Sequence, residues 1–560
     1  MGAGRVTNAN GKPPDRSADY VIVGAGSAGC LLADRLSAAG ASVLLLEAGG
    51  WDRDPLIHIP LGLGRMHEKR SHDWGYDYEA DPGLAGRSIE TMRGKVLGGS
   101  SAINHMSHVR GNPGDYDRWA AQGLVGWSYA EVLPYFRRYE RWHAGANAYR
   151  GGDGPLSVTA RRGDDPLFEA FAQAATNYGL RYTEDYNGER QDGFGHGQST
   201  IARGRRQSAA TAFLRPALRR PGLQLETKAQ ATRILMESSR AVGVEYRQGG
   251  RRKTARADSE VILCGGVYNS PQLLMLSGIG PSQHLREHGI AVRIAHAGVG
   301  ANLQDHLGVI VGATRPVPGP FHAEMRLDRM TVSMLRAFLF GTGPATSLPG
   351  GMHGYIRTEP GLSVPDIQLI FRGVSSKPHL WLPLLSKPYQ DRCGIRPILL
   401  HPESRGEVRL RSANPLDRVR IHGHFLSCEA DIRRLRQGVA VARELLADPA
   451  IDPFRGHEVT PGLAVQSDAD LDAWIRRTAL TAHHPAGTCA MGIGETAVLD
   501  GQLRVRGAAG LRVVDASAMP DMVSGNINAC VTMIAEKTSD MILGRPAMAR
   551  LVEDSAKECA

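Results

Sequence analysis

Two histidines stand side by side at 483 and 484, directly before a proline, in the run TAHHPAGTCAMG (481–492). Adjacent histidines are awkward as metal ligands and redundant as bases, so the pairing asks which of them does chemistry. An imidazole titrates near neutral pH and can accept a proton and then hold it, which suits a general base. Proline pushes the residue before it out of the helical region, so His484 is expected to be extended. Successive side chains of an extended segment face opposite ways, so His483 and His484 should not both reach one bound molecule.

A second constellation suits phosphate. In DYVIVGAGSAGCLLADRLSAAGASVLLLEAGG (19–50), a short apolar run reads as a strand buried on both faces. Gly24, Gly26 and Gly29 then open a helix whose leucines at 31, 32 and 36 recur at helical spacing, and a second strand ends in Glu47. Gly24 permits the tight turn, Gly26 lets a pyrophosphate approach the backbone, and Gly29 lets helix and strand pack closely. The helix N-terminus offers free N–H groups and a positive dipole end. Glu47 stands about 20 residues on, where a carboxylate can accept both ribose hydroxyls. Strand, helix, strand and acid in order predict an ADP-containing dinucleotide held by Gly24, Gly26, Ser27, Ala28, Gly29, Glu47 and Ala48. The segment alone does not separate FAD from NAD.

The elements that must position these groups form a large chain. At 560 residues it exceeds the size at which one core stops growing, so two domains are expected. A hydrophobic share of 42% supports a sizeable core, and 67 glycines suggest many tight turns. The net charge of +9 comes from arginines scattered among acids and carries no recognition motif, so no nucleic acid is expected as a partner. Seven widely spaced cysteines read as reduced thiols rather than a disulfide framework. No apolar run approaches the ~20 residues of a membrane span, and the polar N-terminus reads as no signal peptide. A cytoplasmic protein is expected.

Four stretches carry a resemblance: RGKVLGGSSAINHMSHVRGNPGDYD (93–117), GGVYNSPQLLMLSGIGP (265–281), HHPAGTCAMG and VVDASAMPDMVSGNINACVTMIAEK (513–537). Together they resemble the glucose–methanol–choline (GMC) family of FAD-dependent oxidoreductases, in family order and over nearly the whole chain. The resemblance implies an α/β fold, in which a Rossmann-like FAD-binding domain is interleaved with an α+β substrate-binding domain built on an antiparallel sheet. The FAD domain would comprise 17–60, 88–112, 200–310 and 486–545, the substrate domain 113–199 and 311–485, with flexible termini at 1–16 and 546–560. LQLETKAQATRILMES and AVGVEYRQ alternate as antiparallel strands do, SEVILCGG reads as a buried strand, and LRVVDASAMP brings Asp515 to a strand end.

The resemblance implies oxidation of a primary alcohol to the aldehyde, with dioxygen or another acceptor reoxidising the flavin. It selects the histidine before PAGT, His484, as the base that takes the hydroxyl proton while flavin N5 takes the hydride. Asn528, in the first turn of a helix starting near Asn526, would donate to the substrate oxygen. Asparagine also caps helices for local reasons, and Asn526 would cap this one and contact the cofactor. Further cofactor contacts are implied at Trp74, Val96, Gly98, Ser101, Asn104, His105, Met106, Ala229, Gly265, Asp515 and Ala516. Three positions depart from the pattern. Ala490 replaces a basic residue, Val267 an alanine, and Ile103 the histidine that some members bond to FAD, so FAD should be non-covalent and His105 should point elsewhere. No metal is implied. Carbon–carbon cleavage, as in hydroxynitrile lyases and fatty-acid photodecarboxylases, is the alternative on the same motifs, because fold does not fix function.

Overall fold

The computed structural model describes residues 14–160, 163–375 and 377–551; the expected flexible ends lie mostly outside these residues. Strand β1 (Arg16–Val23) pairs in parallel with β2 (Val43–Leu46) on one side and with the long strand Arg251–Leu263 on the other. All four residues of β2 are buried, as a strand covered on both faces requires. Helix α1 (Ser27–Ala38) makes the crossover between β1 and β2. Its leucines 31, 32 and 36 are buried in the core, and Gly40 (φ +89°) follows its end.

The C-terminal strand Leu511–Val513 returns to this sheet and runs parallel to Val261–Leu263, so Asp515 emerges at the carboxyl end of the parallel strands. Ala229–Glu237 and Arg240–Gln248 extend the sheet as antiparallel strands. One expectation is corrected. LQLETKAQATRILMES is two strands: Leu223–Glu226 runs parallel beside β2, and Lys228, at φ +54°, turns the chain into the next.

A second, eight-stranded sheet is antiparallel throughout. Its main path runs through Glu458–Thr460, Val311–Thr314, Arg392–Leu399, Ile367–Arg372, Gly351–Ile356 and Gly193–His196. Helices Leu167–Asn177 and Glu429–Ala447 pack apolar residues onto it, among them Phe171 and Leu435. Two short strands, Leu307–Gly308 and Leu480–Thr481, pair antiparallel at its margin with Leu307 opposite Thr481. That register brings Asp305 and His306 alongside residues 482–484. A cavity of about 1300 Å³ lies between the two sheets.

Candidate active site

At the nucleotide end of the cavity, glycine fixes the backbone where no side chain fits. Gly24 has φ +104°, and a Cβ there would lie 2.3 Å from the Cys264 carbonyl oxygen. A Cβ on Gly29 would sit 1.9 Å from the Gly24 oxygen, so the turn and α1 touch backbone to backbone. Gly26, by contrast, opens onto the cavity, and its Cβ position meets nothing nearer than 3.9 Å. Gly24, Gly26, Ser27, Ala28, Glu47 and Ala48 line the cavity, whereas Gly29 packs behind it.

Glu47 lies at the end of β2, where its oxygens accept from the N–H groups of Ala25 (2.9 Å) and Gly49 (2.7 Å). Burial pushes its carboxyl up to about 7 despite those two bonds. Asp515 is more fully engaged: it accepts from Gly266 N, Ser270 Oγ, and both the N–H and Oγ of Ser517. It therefore fastens the Gly265–Gly266 turn to the C-terminal strand, and it faces the cavity beside Gly265 and Ala516.

The cavity also takes in Trp74, Asn104, His105, Met106, Ala229, Asn526 and Asn528. Asn104 Oδ1 accepts from Met106 N and from buried Arg206, both at 2.9 Å, which fixes the loop. Besides Gly29, three expected contacts do not reach the cavity. Val96 is buried among Ile57 and Met92, Gly98 N–H donates to Ala25 O, and Ser101 Oγ donates to Gly98 O. The residues lining the wall there are Gly99 and Ser100. Ile103 lines the wall with an apolar side chain that offers no nucleophile. His105 faces the cavity, as a cofactor contact would, edge-on to His67 at 5.3 Å between ring centres. His108 is buried away from the cavity against Glu140.

A hydrogen-bond network centres on His484. Its N–H donates to Asp305 Oδ1 at 2.8 Å, and the other Asp305 oxygen accepts from Tyr78 OH and Thr481 Oγ1. His484 Nδ1 lies 3.0 Å from His306 Nδ1, and His306 Nε2 lies 2.9 Å from the Leu400 carbonyl. These partners decide the tautomers. A carbonyl only accepts, so His306 carries its proton on Nε2 and offers a lone pair at Nδ1. His484 must then hold its proton on Nδ1, which leaves Nε2 as a lone pair. Burial, followed by the charges of His306 and Arg93, lowers the His484 pKa well below its ordinary value, so this ring is neutral. The lone pair meets the Asn526 amide, whose Nδ2 lies 2.9 Å away.

The partners of the two asparagines differ from those expected. The helix begins at Asn528 (Asn528–Ile542), two residues later than anticipated, and Ile527 is its cap residue. Asn526, on the loop before it, reaches His484, while Asn528 Oδ1 accepts from Ser27 Oγ at 2.7 Å. That bond ties the N-terminus of this helix to the N-terminus of α1, and both open onto the cavity. His483 is also corrected. It has φ +61°, in the left-handed region, so strict alternation fails and both histidines face the cavity. Its carbonyl accepts from Arg93 Nη2 at 2.6 Å.

Sequence reasoning missed Asp305, His306, His67 and Arg93. The adjacent acid and base in ANLQDHLG were a visible signal; His67 and Arg93 gave none.

Two family models described as GMC oxidoreductase match this chain, over residues 18–308 and 402–535. The chain belongs to the GMC oxidoreductase family. It is 44% identical over 536 residues to the oxygen-dependent choline dehydrogenase of Brucella suis biovar 1, covering 95% of this chain and 97% of that protein. It is 45% identical over 543 residues to the mitochondrial choline dehydrogenase of Mus musculus, covering 94% and 90%. Among solved structures, pyridoxine 4-oxidase from Mesorbium loti superposes with a TM-score of 0.84 at 32% identity, covering 94% of this chain and 99% of that one. As a GMC oxidoreductase the chain is an FAD-dependent enzyme acting on CH–OH groups. The lyase and decarboxylase alternative finds no support in these relatives.

The glycine cradle, Glu47 and the paired helix N-termini fit the adenosine and pyrophosphate of FAD. Among the described residues, no group of three His, Cys, Asp or Glu side chains gathers as a metal site would require, and no helix is long and apolar enough to cross a membrane.

Proposed function

We propose that this GMC oxidoreductase converts a primary alcohol to its aldehyde, with His484 Nε2 as the proton acceptor and the Asn526 amide as the donor to the reacting oxygen. The observation that carries this reading is the relay Leu400 O–His306–His484–Asn526, which fixes a neutral imidazole with its lone pair on the cavity side. A bound FAD supplies the hydride acceptor. The protein orients the alcohol so that its O–H points at Nε2, in the place where the Asn526 N–H now points. Asn526 Nδ2 can then donate to the oxygen as the proton leaves, when a hydrogen bond gains most from growing negative charge. The charge that His484 acquires stays beside Asp305, whose carboxylate accepts from the His484 backbone. FAD binding without a covalent bond is part of the same reading, supported by Ile103 at the wall.

An anaerobic panel of primary alcohols tests the proposal through bleaching of the flavin absorbance. At least one alcohol should bleach it, and His484→Ala with FAD still bound should slow the bleaching by about 10²–10⁴-fold. A flavin that no alcohol reduces, or a variant as fast as its parent, would overturn the reading. Admitting air to the reduced enzyme then tells whether dioxygen serves as the acceptor.

A further inference from the structure

We propose that the alcohol carries an anionic group, a carboxylate in the simplest case, held by Arg372 and Arg396 on the wall of the cavity. This rests on the alcohol-oxidising role proposed above. Strands Ile367–Arg372 and Arg392–Leu399 are antiparallel neighbours with Ile370 opposite Arg396 and Arg372 opposite Gly394. Arg372 and Arg396 are therefore diagonal neighbours on the same face of the sheet. That face is turned to the cavity, where both side chains form part of the wall.

Neither arginine forms an ion pair with an acid among the described residues, although the charge of Asp305 is felt at Arg396. Among the described residues, no hydrogen bond or ion pair reaches the Arg372 guanidinium, and Arg396 Nη2 donates only to the carbonyls of Leu480 and Thr481. Those two carbonyls belong to the strand that leads to His483 and His484, so Arg396 stands close to the base. The charges that act on His105 and His483 include Arg372, Arg396 and Arg93, all of one sign. Arg93 is already committed to the His483 carbonyl.

Four of the five acids on the cavity wall are engaged elsewhere. Asp165 forms an ion pair with Arg315, Glu324 accepts from Ser333 Oγ, Glu47 and Asp515 are bound as described, and Asp164 is exposed on the loop before Leu167–Asn177. An arginine left unpaired in a walled cavity is costly unless a ligand supplies the counter-charge. Two guanidinium forks on one face suit the planar, bidentate demands of a carboxylate. The same pair opposes a quaternary ammonium, so an alcohol such as choline should be a poor substrate despite the names of the relatives.

The test uses FAD-loaded enzyme and three alcohols of one shape: 4-(hydroxymethyl)benzoate, 4-methylbenzyl alcohol and 4-(trimethylammonio)benzyl alcohol. Anaerobic flavin reduction should favour the carboxylate over the neutral alcohol by roughly 10- to 100-fold in kcat/KM, with the cation weakest. Arg372→Ala should remove most of that preference through KM, and Arg372→Lys should restore part of it. Benzoate provides a readout without turnover. It should perturb the flavin spectrum, with Kd raised roughly 10- to 100-fold in Arg372→Ala. A neutral or cationic alcohol that matches the carboxylate would overturn the inference, as would equal losses on all three in Arg372→Ala. So would benzoate binding that ignores the substitution. If no alcohol reduces the flavin while benzoate binding still depends on Arg372, the anion site stands and the alcohol-oxidising role falls.

Discussion

Asn526 and Asn528 are two residues apart and serve different partners, one the proposed base His484 and the other Ser27 at the N-terminus of α1. Their substitutions should therefore separate. Asn526→Ala should leave FAD occupancy near that of the parent and slow flavin reduction by roughly 10²–10³-fold, as loss of one donor to a developing oxyanion does. Asn528→Ala removes the acceptor for Ser27 Oγ, so its effect should appear as weaker FAD retention. Flavin content after gel filtration, set beside the anaerobic reduction rate, decides the matter; the reverse pattern would restore the assignment read from sequence. The sequence reading gave the two the opposite roles because the helix start is a matter of one or two residues, and Asn at either position satisfies the same local rule. Ile103 was legible, since no partner alters the fact that it lacks a nucleophile, and denaturation should accordingly release FAD. Fluorescence that stays with the polypeptide on a denaturing gel would implicate His105, which faces the cavity.

At the level of elements, the first strand–helix–strand unit was legible because its contacts are local: a buried strand, three spaced glycines, a periodic helix. Gly29 shows how tight that unit is. Gly29→Ala would drive a methyl group to 1.9 Å from the Gly24 oxygen, so α1 must shift away from the turn that carries Gly26. Loss of bound flavin is expected, with lowered stability, measured by absorbance per polypeptide and by thermal melting. A yellow protein of unchanged melting temperature would show that the helix can slide. What lay beyond sequence was pairing across long separations. Leu223–Glu226 reads as the start of an antiparallel hairpin, yet its partner is β2, nearly two hundred residues earlier. Leu307–Gly308 and Leu480–Thr481 are each two residues long, too short for any periodicity, and their register, with the Gln304–Ala486 bridge beyond it, sets His306 against His484. Arg372 and Arg396 likewise become neighbours only once strand order is known. His483 escaped the alternation argument because that argument assumes an extended backbone, and its φ is positive.

Across the whole molecule, many titratable groups are buried in a form that differs from the one the unfolded chain prefers, and together they set a direction for stability against pH. Burial lowers His105, His306 and His401 to about 3 and His353 to about 4, and it lowers His483 and His484 well below 6.5. Each is neutral in both states above pH 6.5 and contributes no slope there. Below it, the unfolded chain takes up protons that the native state refuses, so stability is lost as pH falls from about 6.5. Among the described residues five carboxyls are raised by burial and act the other way: Glu47, Asp115, Asp305, Asp472 and Asp515. Glu47, pushed up to about 7, and Asp115, pushed up to about 6 by burial, hold protons natively that the unfolded chain releases. Their share of stability is greatest at low pH and is lost as pH rises through those values. Between pH 5 and 6.5 the histidines outnumber the carboxyls, so unfolding takes up protons on balance. The thermal midpoint of the FAD-loaded enzyme should therefore fall steadily as pH is lowered from 7 to 5. His401 bonds Ser524 Oγ, lies outside the cavity wall and stands 3.5 Å from Asp115 Oδ1, so it reports on the share of that slope carried by this buried pair. His401→Gln keeps a polar side chain but cannot titrate, and should flatten the dependence by up to ~1.4 kcal/mol per pH unit. A midpoint that holds level or rises on acidification would mean that the carboxyls prevail, and an unchanged slope in His401→Gln would mean that this imidazole is protonated in the folded protein after all.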